Sequence, residues 1–285
     1  MAAVAFLLQP LFCLKYRRVL VMNVFVMVDI EGISGIYSRE QVLPSEPRFD
    51  EGRRFMTADV NACTRGLKEA GVDKIYVCDC HGGSYSLIWD VLSDDADYYI
   101  CGDTADKRFW GIEDCDAVVL LGYHAKAGTL GAVLEHSWSS KNVQNIYING
   151  EKTGEIAFDA AVAGEYGKPV IMVSGDDKAC AEAKAILPHA VCAEVKKGTD
   201  ICGAMLMPPA AAHELIRQKS IEAVKNFDKC SLFSFEKPVE CIVELTERTA
   251  LPNSKNAPYA TIIDGRTYSV TANSTEELLF RSMNF

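Results

Sequence analysis

Residues 24–32 read VFVMVDIEG, and this stretch decides the fold class. The run from Val24 to Val28 has no polar face, so a strand here must be covered on both sides, as in the middle of a parallel sheet. It stops at Asp29-Ile30-Glu31-Gly32, which places carboxylates just past the strand's carboxyl end, where open α/β sheets gather their ligands. The pattern recurs downstream. Lys74–Cys78 (KIYVC) leads into Asp79-Cys80-His81-Gly82-Gly83, and Ala117–Leu121 (AVVLL) leads into Gly122-Tyr123-His124-Ala125. Pro169–Ser174 (PVIMVS) leads into Gly175-Asp176-Asp177. Weaker strands are read at Ala96–Cys101 and Ala193–Lys197.

Helical spacing separates these runs. Phe49–Ala70 carries apolar residues at helical intervals and is followed by Gly71 as a stop. Thr153–Tyr166 and Ala179–Ile186 read the same way. Strands alternating with helices predict an α/β protein, a three-layer α/β/α arrangement with a mostly parallel central sheet. Gly131–Glu135 and Asn145–Ile148 are expected to pair as short strands, with a turn at Asn149-Gly150. From about Leu206 the pattern changes to a helix over Pro209–Asn226, strands at Val239–Thr246 and Tyr268–Ala272, and a helix near Thr275–Ser282. The expected organisation is an α/β metal-binding catalytic domain over 22–205 and a smaller C-terminal α+β portion over 206–285. Residues 1–21 read as a leader or a start-site artefact. Their apolar run precedes Lys15-Tyr16-Arg17-Arg18, the reverse of a secretory signal, and is too short to span a bilayer.

Bulk properties narrow the class. The 285 residues are 49% hydrophobic and 24% charged, the balance of a globular protein with a large core. A formal net charge of −10 argues against nucleic acid as a partner, because phosphate binding requires a basic face. No membrane partner is expected. The 11 cysteines include no C-x-x-C pair, which fits reduced thiols in the cytoplasm better than a disulfide framework or a zinc ribbon.

The chemistry-bearing residues sit at the predicted strand ends: Asp29 and Glu31, His81, His124, and Glu155 at a helix start. Asp29 and Glu31 are two apart, so on an extended backbone they project to one side and repel unless a cation lies between them. Two carboxylates, two imidazoles and a further Glu suffice for a pair of divalent ions about 3.5–4 Å apart, and such ligands suit zinc, manganese or cobalt. His136, in Glu135-His136-Ser137, is a candidate proton donor or oxyanion stabiliser rather than a ligand. Asp79 is a candidate to orient His81. Lys126 and Tyr123 flank His124 and read as surface groups, and the acidic pair Asp176-Asp177, after a strand and before a helix, reads as a helix cap rather than a metal site. A nucleophilic thiol at Cys78 or Cys80 is disfavoured, because His81 follows Cys80 directly and so points to the other side. His189 and His213 receive no role.

These motifs, VDIEGISG, CDCH, GYHA, EHS, INGxxxGE and VSGDD, occur in the order and at the separations of the D-aminopeptidase DppA family, which the chain resembles closely over residues 22–197. The resemblance implies that Asp29, Glu31, His81, His124 and Glu155 are the ligands of two zinc ions and that His136 is the catalytic histidine. It further implies cleavage of short peptides with a free N-terminus, D-Ala-D-Ala among them, and a homodecamer with its active sites facing an inner channel. Met27, Cys78, Cys80 and the Gly198-Thr199-Asp200 stretch depart from the family pattern and bear on substrate preference rather than on metal binding. The competing readings are another metal-dependent hydrolase, either an amidase or a phosphoesterase, and a metal-free scaffold of the same fold. A phosphoesterase would need cationic clamps, for which Lys126 is the nearby candidate.

Overall fold

The computed structural model describes residues 21–105, 107–252 and 257–282. The leader read over residues 1–21 lies, Val21 apart, outside them.

In β1 (Asn23–Val28) every residue after the first is buried. Its side chains alternate between two cores, Val24, Val26 and Val28 entering one and Phe25 and Met27 the other. A strand dry on both faces requires neighbours on both edges. β1 pairs in parallel with β2 (Lys74–Asp79) on one side and β4 (Ala117–Leu121) on the other. Outside β2 lies β3 (Tyr98–Ile100), and outside β4 lie β7 (Val170–Asp176), β8 (Val191–Asp200) and β9 (Gly203–Leu206). All of these pairings are parallel except that of β9, which runs antiparallel to β8 at the edge. The α/β class with a mostly parallel sheet is therefore as expected.

One face of this sheet is covered by α1 (Phe49–Glu69) and α4 (Pro209–Lys225), which bring Met56, Val60, Ala212 and Ile216 onto Val24, Val26 and Val28. The other face meets α2 (Glu155–Glu165), α3 (Asp177–Ile186), α5 (Thr275–Ser282) and a second sheet. That sheet is antiparallel, in the order β11 (Thr261–Ile262), β12 (Thr267–Ala272), β10 (Val239–Leu245), β5 (Val143–Ile148) and β6 (Glu151–Lys152). Its inward residues Ile146, Ile148, Cys241, Val243 and Tyr268 share a core with Phe25, Met27, Val118 and Leu120. The chain after Leu206 thus contributes to both layers, with α4 lying over the central sheet and β10 joining β5.

Local chemistry explains most boundaries. Asn149 and Gly150 both take positive φ, 50° and 87°, as a two-residue hairpin turn requires, and they join β5 to β6. Asp176 caps α3, its Oδ1 accepting from the backbone N–H of Lys178 and Ala179. The strand expected at Gly131–Glu135 is instead a succession of turns. Its backbone donors are taken singly, Val133 by the Asp176 carboxylate and Leu134 by the Ile201 carbonyl, so no ladder forms.

The loops after β1 and β4 meet with almost no space between them. Gly32 donates its N–H to the Gly122 carbonyl at 2.7 Å. A Cβ on Gly32 would stand 2.0 Å from the Tyr123 carbonyl oxygen, and one on Gly122, at φ +73°, would stand 2.3 Å from that of Asp29. Only glycine allows these backbones to approach so closely. Gly32→Ala is accordingly expected to destabilise the protein by about 3 kcal/mol, the upper end of overpacking costs, because both neighbours are backbone. Urea unfolding checks this; a change under about 1 kcal/mol would show that the loops separate freely.

Candidate metal centre

β2, β1 and β4 are adjacent, so the residues following each of them emerge side by side. Asp29 and Glu31 follow β1, His81 follows β2 and His124 follows β4. Glu155 arrives from the other layer, at the first turn of α2 behind the β5–β6 hairpin. The structure brings all five together, with His136 beside them. His81 Nδ1 lies 3.1 Å from Asp29 Oδ1 and 3.3 Å from Glu31 Oε2. His124 Nε2 lies 3.5 Å from Asp29 Oδ2 and 3.3 Å from Glu155 Oε1. The two oxygens of Asp29 thus face different imidazoles, and this carboxylate joins two clusters of donors. Asp29, Glu31 and His81 form one, and His124, His136 and Glu155 form the other, with the donor atoms of each within 4.8 Å of one another.

Each imidazole is aimed by the nitrogen that does not face the carboxylates. His81 Nε2 donates to the Val42 carbonyl at 2.8 Å, and His124 Nδ1 donates to the Ala125 carbonyl at 3.0 Å. A carbonyl can only accept, which assigns the tautomers and leaves His81 Nδ1 and His124 Nε2 as the inward atoms. Asp79 takes a related part: it accepts from the backbone N–H of His81 and Ser86, so it fixes the turn that carries His81 and not the ring. His136 stacks on His124 with ring centroids 4.0 Å apart, and its Nδ1 donates to the Leu134 carbonyl at 2.8 Å. Its Nε2 stays 3.9 Å from Glu155, and its side chain keeps 14% of its surface exposed against 1% for His124.

The electrostatics are those of a cation site. Burial works to raise the Glu31 carboxyl, but His81, then His136 and His124, hold it well below the usual carboxylate range. Burial also works to raise the Glu155 carboxyl, and His124 and then His136 lower it. Burial works to lower the His81 and His124 imidazoles, yet the facing carboxylates hold both well above the usual histidine range. Glu31 Oε2 and His124 Nε2 are buried with no hydrogen-bond partner. An unpartnered carboxylate oxygen and imidazole nitrogen are atoms that a divalent ion would engage, so these residues fit a metal pair.

Several supporting residues escaped the sequence reading. Trp138 sits at φ +63°, a strained backbone for a bulky residue, and its N–H donates to Glu155 Oε1 at 2.7 Å. Lys196, fully buried on β8, donates to the carbonyls of Glu31, Ile33 and Ile36 at 2.6–2.8 Å and so clamps the loop after β1. Burial pushes its ammonium down to about 7 against the pull of Asp176 and Asp59, while three carbonyl acceptors favour the protonated form. Nothing local marked it, because β8 also carries Glu194 and Lys197 and a lysine there reads as a solvated side chain. Tyr123, expected at the surface, is buried and donates to Asp159 at 2.6 Å, because the residue after Gly122 turns toward α2. The cations lining the cleft are Arg39, Arg108 and Lys141, in place of the expected Lys126. Burial pushes the Cys78 thiol up to about 12 and the Cys80 thiol well above its ordinary value, which suits neither to nucleophilic work.

Comparison with known proteins identifies the family. The peptidase M55 family model, described as D-aminopeptidase, matches residues 22–285. A D-aminopeptidase of Bacillus subtilis (strain 168) is 35% identical over 212 residues, 73% of this chain and 76% of that protein. Among solved structures the chain is similar to the Zn-dependent D-aminopeptidase DppA from Bacillus subtilis, a self-compartmentalizing protease. The TM-score is 0.84 at 28% identity, covering 93% of this chain and 100% of that one.

Lys196→Met keeps the stem but strands three buried carbonyls, so a loss of about 3 kcal/mol is expected. Chemical denaturation measures it. If Lys196 were only filling space, the methionine would be near neutral.

Proposed function

This chain belongs to the peptidase M55 D-aminopeptidase family, and we propose that it is a two-zinc aminopeptidase acting on short peptides with a free N-terminus, D-configured ones such as D-Ala-D-Ala included. The observation that carries this reading is the Asp29 carboxylate, whose two oxygens address two separate donor clusters. In this reading Asp29, Glu31 and His81 hold one ion, and Asp29, His124 and Glu155 hold the other. Bound zinc would polarise the scissile carbonyl and lower the pKa of the attacking water.

The remaining work belongs to the chain. Burial of the ligands excludes bulk water from all but the cleft side. Trp138 holds Glu155 through its backbone N–H and so fixes the second cluster. His136 is more open than His124 and further from Glu155, which supports a proton-transfer role over a ligand role. Anchored at Nδ1 by Leu134, it presents Nε2 to the cleft, where it would deliver a proton to the departing amine or hold the oxyanion.

The same reading includes a cytoplasmic location and a homo-oligomer, a decamer by resemblance, that confines the sites. All described cysteines are free, in keeping with a reducing compartment. No described helix is long and apolar enough to cross a membrane. Leu130, Ile201, Met205 and Leu206 are exposed apolar groups of the kind that contacts between subunits cover.

Elemental analysis of purified protein is expected to find close to two zinc equivalents. Chelation should abolish release of D-alanine from D-Ala-D-Ala, and zinc should restore it. His136→Ala should keep the metal and lower kcat by roughly 10²–10⁴-fold; loss of metal, or unchanged turnover, removes the assigned role. A phosphate ester serves as control, and hydrolysis of it alone would favour the phosphoesterase reading. Light scattering should give the mass of about ten chains, and a monomer would refute the enclosed assembly.

A further inference from the structure

Away from the donor clusters the cleft opens, past Trp138, into a second hollow lined by Gly82, Gly83, Thr104 and Leu279. Arg108 stands at the junction and lines both. Its Nε and Nη2 donate to the two oxygens of Asp159 at 3.0 and 2.9 Å. Asp159 is wholly buried and also accepts from Tyr123. The guanidinium lies over the Trp138 ring, 5.1 Å from its centroid. One face and one edge of the fork are therefore pinned, and no described residue takes Nη1.

The position of this group relative to the metal centre follows from α2. Glu155 and Asp159 are four residues apart, on one face of the helix and about one 5.4 Å turn from each other. Trp138 spans the same interval, its N–H on Glu155 and its ring beneath Arg108. A peptide residue advances about 3.3–3.6 Å when extended. A chain with its first carbonyl at the metals therefore has its second residue's carboxyl group near Arg108.

We propose that Arg108 is a specificity-determining residue that binds the C-terminal carboxylate of a dipeptide through Nη1, selecting short substrates with a free carboxylate. The inference rests on the aminopeptidase reading for the direction of the bound chain. Arg39 and Lys141, the other cations of the cleft, are exposed and free to move, so solvent screens them and binding must order them. Arg108 is already ordered by Asp159 and Trp138, so a carboxylate gains a charge-assisted hydrogen bond without that entropy loss.

The test uses the zinc-loaded protein and an uncleavable probe, the reduced-bond analogue of D-Ala-D-Ala in which CH2–NH replaces the scissile amide. Calorimetry compares its free-acid and carboxamide forms. Wild type is expected to bind the acid roughly ten- to a hundredfold more tightly. Arg108→Gln combined with Asp159→Asn, which leaves no buried charge unpaired, should bind the two forms alike and keep the carboxamide within about threefold of wild type. A merely structural arginine would weaken both forms together. Should the double variant not fold, Arg108→Lys decides, because one nitrogen shared between Asp159 and the ligand must narrow the gap. Equal affinities in wild type, no binding of either form, or a gap unchanged by substitution overturns the proposal. Cleavage of D-Ala-D-Ala itself is scored separately: a tight acid-selective site without cleavage would leave Arg108 in place and remove the aminopeptidase reading.

Discussion

Asp29, Glu31 and Glu155 are all buried within one small volume, and carboxylates so placed repel one another unless positive charge lies among them. That requirement organises the rest of the molecule. It is met in part from within the chain by His81 and His124, whose imidazoles the facing carboxylates hold above the usual histidine range against the effect of burial. Two metal ions would meet it more completely, since they also engage the unpartnered Glu31 Oε2 and His124 Nε2. The cluster is therefore costly to assemble without cations, a cost that a metal site recovers on binding.

Holding such groups in place demands a stiff frame. The frame is a set of backbone contacts more than a shell of side chains. Gly32 and Gly122 let the loops after β1 and β4 touch, and Val42, Ala125 and Leu134 offer carbonyls that aim three histidines. Lys196 gathers three further carbonyls from the loop after β1. Asp176 caps α3 with one oxygen and holds the loop of His136 with the other, through Val133. Strain is stored here too, in the positive φ of Leu134 and Trp138 on either side of His136.

The cleft divides its labour along α2. At the helix's first turn Glu155 belongs to the acidic centre; one turn on, Asp159 balances Arg108, so carboxylates give way to an ion pair over a single turn. A free carboxylate on a short peptide would match the remaining Nη1 donor of that pair.

Read alone, the sequence was enough to determine the class of sheet, six of the seven strands that build it and the ends at which its candidate ligands stand; the edge strand β9 was missed. Burial on both faces is written locally, as runs such as VFVMV and AVVLL, and a ligand that closes such a run must lie at the sheet's rim. A cap within the Asp176-Asp177 pair and the Asn149-Gly150 turn were legible for the same reason, since a cap or a tight turn depends on a few consecutive residues; the structure gives the cap to Asp176. Tertiary structure alone decided which segments meet. The second sheet joins residues 143–152 to 239–272, and no local pattern encodes pairing across that separation. The failed strand at 131–135 shows the converse, a strand-like run whose N–H groups are claimed by distant acceptors. Asp29 as the shared carboxylate, Trp138 behind Glu155, and Arg108 on Asp159 all depend on distances of a few ångströms between remote parts of the chain, and those are set by close packing, not by residue order.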